Sequence, residues 1–489
     1  MAPASPPAAA PTPTSRARRA LPAAATVVGV AALLRLVYDA WYLNYDARYA
    51  LLWARDAARG DTPDYTAGFA PTPHPLETAA SVLALPFGEG AADAMAWVVA
   101  LCFGACVWLV FRLGSELFAP AAGAVAALVV LTRPMLLRDA LLGYQDMAFA
   151  ALVLGAVLLE LRRPRRGWPI VAMLVVAGLM RPEAWALAGL YVLWLWPARE
   201  WRARIGLAAL AAVSPLLWSL ADYAVTGDFL HSLHGTADLA EAAGRRRHLH
   251  QAPYWTAAYF GSTLREPLAV GIPIGLAFAW AHRDRFRRAA LPLAVAAAMT
   301  LVFMAGPVFG LPLIGRYVRT PAMLLALFYG LAVVGWALLA RDDPRRRAWL
   351  IAGAVAALAS IAFLPWHGRM LANQHAKIER DADLYRDLRA AAHAPPVRAA
   401  FAACGRVISA ADHRPMPYLR WWIDGPPHSV TTIEQDASPL SRLLLVPRAT
   451  RLPRRFYREN LPRIQPPAGW RELYENRSYR VYAAPDCAP

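Results

Sequence analysis

Carboxylates and arginines recur in this sequence where apolar runs begin or end. Asp46 stands just after the first long apolar run, in "NYDARYALLWARD". Arg138, Asp139 and Asp146 cluster in "LLRDALLGYQDMAF", and Arg316 and Arg319 stand in "LIGRYVRTP" ahead of a late apolar run. Separated carboxylates facing arginines suit chemistry on a phosphorylated lipid: a guanidinium binds the phosphate, one acid takes a proton, and the other positions a ligand or a metal. The same groups would serve a transporter as an ion or proton pathway, and the residues alone leave both open. Two further pairs lie inside apolar runs. Arg35 and Asp39, one turn apart, read as an internal ion pair; Arg181 and Glu183, flanking Pro182, either pair within the protein or line a water-filled cavity.

Such groups need elements that hold them at a membrane surface. Hydrophobic residues make up 58% of the 489-residue chain and charged ones only 17%. They fall in many runs of about 15 to 22 residues, the length of bilayer-crossing helices and more than a single soluble core needs. The net charge of +17 would suit nucleic acid in a soluble protein. Here, however, arginines recur in short clusters between the runs, "RARR", "RRPRR", "REWRAR", "HRDRFRR" and "RDDPRRR". That is the pattern of cytoplasmic loops, and it excludes nucleic acid as a partner.

The expected architecture is therefore an α-helical polytopic membrane protein. About eleven spans are expected, near 20–42, 93–113, 120–138, 142–161, 168–180, 183–197, 203–224, 266–282, 288–306, 318–340 and 346–365. The stretch "GWPIVAMLVVAGLMRPEAWALAGLYVLWLWPARE" decides the orientation. As one helix of roughly 30 residues it would be about 45 Å long against a hydrocarbon core of about 30 Å; as two half-length helices it turns at "RPE". Only the turn keeps these five clusters on one side, so the positive-inside rule favours it. Residues 1–19, Ala- and Pro-rich, then form a disordered cytoplasmic N-terminus, residues 20–365 the multi-span domain, and loops 43–92 and 223–265 face outward at the plasma membrane. The loop "AGRRRHLH" also falls outside, as a solvated loop or a lure for anionic headgroups or glycan.

Past Trp366 the apolar runs stop. "HGRMLANQHAKIERDADLYRDLRAA" keeps Met370, Gln374, Ile378, Asp381, Tyr385 and Leu388 near helical spacing. The β-type runs "GRVIS", "HSVTTI", "SRLLLVP" and "RSYRVYAA" follow. Residues 366–489 thus read as a small extracytoplasmic α/β domain. Cys404 and Cys487 bracket its β-rich part on the oxidising side, where a disulfide would close a loop of roughly 80 residues; two unrelated thiols are the alternative.

In their order these features resemble the GT-C superfamily of polyprenyl-phosphate-sugar-dependent membrane glycosyltransferases, the group that includes protein mannosyltransferases and aminoarabinose transferases. The resemblance covers about residues 20–365 and rests on "YDARYALLWARDAARGDTPDY", "PTPHPL", "GYQDMAFAALVLG", "AGLMRPEAW" and "GRYVRTPAMLLAL". It implies that Asp46 is the general base and Asp146 the assisting second-loop acid. Arg316, with Arg138 and Arg181, would hold the donor phosphate, while His74 and Glu183 would contact substrate. It implies a polyprenyl-phosphate-linked sugar as donor, an envelope glycan, lipid or protein as acceptor, and a divalent cation, Mg or Mn, whose ligands the sequence leaves unknown. Many relatives carry a second acid after the first; here Ala47 follows Asp46. A transporter or flippase of lipid-linked saccharide, or a non-catalytic envelope scaffold of the same fold, are the competing readings. Abundant Ala, Pro, Gly and Arg point to a GC-rich, bacterial genome.

Overall fold

In a computed structural model of the chain the described residues are 13–434, 440–448 and 465–487. Residues 1–12 of the segment expected to be disordered lie outside them, and a helix spans Pro13–Val37. Among the described residues four helices are long and apolar enough to cross a membrane: Leu85–Leu117, Trp201–Thr226, Arg287–Phe309 and Gly315–Leu338. The number rises to at most seven if each of three bent helix pairs counts as one span, and Leu21–Val37 and Trp168–Gly178 are shorter apolar helices. Four to seven candidate spans thus stand where eleven were expected, and prolines break several of the apolar stretches. Pro134 follows helix Pro120–Thr132 at a 62° bend, and Pro267 lies at the 112° bend between Leu249–Leu264 and Pro267–Ala281. Each removes a backbone donor and clashes with the preceding turn.

Helix Trp168–Gly178 turns back at Leu179–Pro182 into helix Glu183–Leu195, with Val171 and Val175 against Val192 and Leu195. At 11 and 13 residues, neither reaches the roughly 20 that one crossing needs. Helix Arg319–Val334 runs through the centre of the bundle, where Ala322, Ala326 and Leu327 pack with Val130, Phe278, Phe303 and Ala356 from four neighbouring helices. Backbones touch there: a Cβ on Gly330 would lie 2.1 Å from the Ala122 carbonyl oxygen, and one on Gly275 1.8 Å from that of Phe328. Small residues at such crossings are how membrane helices gain close packing without a hydrophobic drive between them.

Helix Leu364–His393 leaves the bundle at a 44° bend and buries Gln374, Ile378, Asp381, Tyr385 and Leu388. Beyond it lies a five-stranded sheet of β1 (Ile408–Ala410), β2 (Val430–Thr432), β3 (Leu443–Pro447), β4 (Arg471–Glu475) and β5 (Tyr479–Ala483), in the order β2-β1-β3-β5-β4. β1 is parallel to β2 and β3, whereas β5 is antiparallel to β3 and β4. A disulfide joins Cys404 to Cys487, with Cα atoms 5.6 Å apart.

This sheet domain is bolted to the first loop. Arg420, 2% exposed, donates to Asp56 at 2.6 Å and to Asp64 at 2.8 Å, both carboxylates being buried. Arg55 reaches Asp424 and the Gly425 carbonyl, and the Tyr418 hydroxyl donates to the Leu43 carbonyl at 2.6 Å. Contacts of this kind put the first loop and the tail on one side of the bundle. The Arg35–Asp39 pair read from the sequence does not form. The helix ends at Val37, so the one-turn spacing is lost; Arg35 lies over the Trp41 ring at 4.2 Å and Asp39 faces His375 at 3.4 Å.

Candidate functional site

Asp46 is placed by a helix start. Asn44 caps helix Tyr45–Arg59: its side chain accepts the backbone N–H groups of Asp46 at 2.9 Å and Ala47 at 3.2 Å. The cap is itself tied down, because the Asn44 backbone N–H and side-chain amide both donate to the Leu142 carbonyl, at 2.7 and 3.0 Å. A first-turn carboxylate also faces the positive end of the helix dipole. Asp46 then accepts from Arg316 Nη1 at 2.6 Å. Burial alone would push the Asp46 carboxyl up, but Arg316, with Arg245 adding to it, outweighs this and leaves Asp46 below the ordinary carboxylate range.

A cavity of about 1180 Å³ opens beside this pair, walled by the bundle, by the loop following helix His231–Ala242 and by the tail domain. Of the catalytic, phosphate-binding and substrate residues that the resemblance implied, Asp46, His74, Arg138 and Arg316 line it. Arg138 and Arg316 flank one ring, their guanidinium carbons 5.6 and 5.2 Å from the centroid of Tyr144. Arg319, on the same wall, donates to Asp139 at 2.8 Å. Asp146, Arg181 and Glu183 are not in the wall. Arg181 sits between the two carboxylates as a buried ion triad at the apex of the hairpin, with its guanidinium 4.1 Å from the Tyr317 ring centroid. Arg181 therefore does not reach the cavity where it was expected to hold phosphate, because two acids within its own layer already engage it.

His74 stands at the start of helix Pro75–Val82, without a side-chain capping bond, and edge-on to Trp218. Burial, reinforced by Arg316, pushes its imidazole down to about 3. One residue of weight was missed in the sequence: Glu77, in the first turn of that helix, is 5% exposed, and its carboxyl makes no hydrogen bond or ion pair among the described residues. Burial, with Asp46 adding to it, raises its carboxyl to about 8. Its only sequence signal is an acid directly after "PTPHPL". Arg245 and Arg246, from the loop read as solvated or headgroup-attracting, also line the cavity.

The acids at the centre do not fit a shared divalent ion. Asp46 is held by Arg316, Asp146 by Arg181 and Asp139 by Arg319, so a guanidinium stands at each carboxylate where a cation would. Among the described residues the groups with ligand atoms within 4.8 Å of one another are Asp39–His375–Glu379 and Asp412–His413–Glu434, and neither contains Asp46 or Asp146.

No family model matches the sequence, nor does any curated protein. Solved structures do. The oligosaccharyltransferase of Archaeoglobus fulgidus, crystallised with Zn and sulfate, superposes with a TM-score of 0.50 at 13% identity over 83% of this chain and 62% of that one. Its apo form gives 0.49 at 12% identity over 85% and 65%. A complex of the same archaeal protein with an inhibitory peptide and a dolichol-phosphate gives 0.47 at 12% over 84% and 65%. The chain thus spans about three fifths of the length of the first of these structures. The chain thus shares its overall fold with that archaeal protein.

Proposed function

We propose that this chain is an integral membrane glycosyltransferase that moves a sugar from a polyprenyl-phosphate donor to an envelope acceptor on the extracytoplasmic face. The observation that carries the reading is the Asp46–Arg316 pair, fixed at a helix start on the wall of a cavity that Arg138 shares. The shared fold supports it as well. In the inverting displacement an acceptor hydroxyl oxygen attacks the anomeric carbon, and its proton passes to Asp46. The bond from that carbon to the phosphate oxygen breaks, the lipid phosphate leaves with the electron pair, and Arg138 and Arg316 meet its charge.

The ion pair adds a control. While Arg316 holds Asp46, the carboxylate is a weak base; a donor phosphate that draws Arg316 toward itself frees Asp46 and raises its basicity where the acceptor arrives. No step requires a cation at Asp46. The test is turnover of polyprenyl-phosphate sugars in proteoliposomes, with mass spectrometry of released polyprenyl phosphate. Asp46→Asn should lower release by about 10²–10⁴-fold, the range for a positioned base, with expression intact. Wild-type rates from that variant would remove Asp46 from the chemistry. No release across a panel of donors by folded wild-type protein would sink the transferase reading.

A further inference from the structure

The cavity wall carries more positive charge than one lipid phosphate requires. Arg316 is engaged by Asp46, Arg319 by Asp139, and Lys377 by Asp381 at 2.7 Å. Arg138 stands 3.5 Å from Asp139, which Arg319 already holds, and shares the Tyr144 ring with Arg316. Arg245 and Arg246 line the same cavity and are in no ion pair among the described residues.

Both are held in place by their backbone. Helix His231–Ala242 closes on Gly244, at φ +59, where a left-handed residue is required. The Gly244 N–H donates to the Glu241 carbonyl at 2.9 Å, and the Arg245 N–H to the Ala240 carbonyl at 2.8 Å. The Arg246 carbonyl accepts the Leu313 N–H at 2.8 Å, which ties this turn to the segment that carries Arg316. The Arg246 guanidinium carbon lies 3.5 Å from the Trp255 ring centroid, stacked and so restricted in its rotamers. A helix C-terminus favours cations, which steadies the pair without neutralising it. Arg245 lies near enough to Asp46 to help hold that carboxyl ionised.

We propose that the cavity takes two anionic groups at once, one phosphate between Arg138 and Arg316 and a second phosphate-like group at the Arg245–Arg246 turn. This rests on the reading of the cavity as a lipid-phosphate site. The second anion is either the distal phosphate of a lipid diphosphate donor or an acidic group on the acceptor. Its chemistry is the same in both cases: a tetrahedral or planar oxyanion that accepts forked guanidinium hydrogen bonds.

The experiment measures binding to the full-length protein in nanodiscs, using a prenyl monophosphate, the matching prenyl diphosphate and inorganic phosphate as probes. It compares wild type, Arg245→Ala/Arg246→Ala and the Lys/Lys counterpart, each with its thermal midpoint checked. If the second phosphate belongs to the donor, wild type binds the diphosphate about tenfold more tightly than the monophosphate, the effect of one added charge-assisted contact. The alanine pair loses that preference while keeping monophosphate affinity, and the lysine pair restores part of it. If the second anion belongs to the acceptor, the two prenyl probes bind alike, and inorganic phosphate binds to the monophosphate-loaded protein in a manner that needs Arg245 and Arg246. Equal prenyl affinities with no added phosphate binding, or a diphosphate preference that survives the alanine pair, overturns the proposal. Intact two-anion binding by a protein that transfers no sugar would instead sink the transferase reading and leave this one standing.

Discussion

Replacing Glu77 by glutamine tests the polar layer beneath the cavity. Glu77 is buried, its carboxyl has no hydrogen-bond or ion-pair partner among the described residues, and Asp46, Asp146 and Arg316 act on it. Its carboxyl is held at about 8 against an ordinary value of 4.5. The unfolded chain releases this proton near the ordinary value and the folded chain keeps it to about 8, so between the two the native state binds one proton more. Stability from this residue is therefore fully present at low pH and falls as pH rises through that window, levelling above it. The gap, at about 1.4 kcal/mol for each pH unit, comes to roughly 5 kcal/mol. Glutamine has nearly the same shape and no proton to lose, so its stability relative to wild type should rise between pH 5 and 9 by up to that amount. The assay is thermal unfolding of both proteins in nanodiscs at pH 5, 7 and 9, taking the difference between them so that all other titrations cancel. A difference that stays constant with pH would refute the reasoning.

Three further outcomes follow from other parts of the structure. Arg420→Ala leaves Asp56 and Asp64 buried without their cation and should cost about 3–5 kcal/mol, seen as a lower thermal midpoint and faster proteolysis of the tail domain. Cys404→Ser with Cys487→Ser opens a loop with a sequence separation of 83; the chain-entropy model gives a loss of about 4–5 kcal/mol, readable as a matching drop when wild type is reduced. His74→Asn should leave the shape of the pH–rate profile between pH 5 and 8 unchanged, since His74 is neutral across that range; a limb that disappears in the variant would show that the imidazole titrates there.

Much of the helical organisation was legible from local signals. The turn at Arg181–Pro182 follows from a stretch too long for one crossing and from the side on which arginines fall. The strands at "GRVIS", "HSVTTI", "SRLLLVP" and "RSYRVYAA" stand at or within the runs read as β-type, because their apolar residues face a core. β4 was not read: its sequence "RELYE" lies at the sheet edge and is half exposed, so it carries no apolar alternation. Pairings were the illegible part. Asp46 meets Arg316 across 270 residues and Arg319 meets Asp139 across 180, and composition says nothing of which acid finds which arginine. Arg138 and Arg316 stood out as cations near helix ends, whereas Glu77 drew no reading at all. Only tertiary burial distinguishes it.

The Arg420 clamp also sets a clock. It grips Asp56 on the helix whose first turn carries Asp46, yet 364 residues separate the two in the chain. At about 5–20 residues per second, roughly 20 to 70 s of synthesis pass between the helix and its clamp. Through that interval Asp56 and Asp64 lack their cation, and Trp421 has not yet arrived to cover Arg55. The helix bearing Asp46 cannot be locked until the tail has been delivered to the same side of the bundle, so the cavity becomes complete late, after most of the helices around it are already in place.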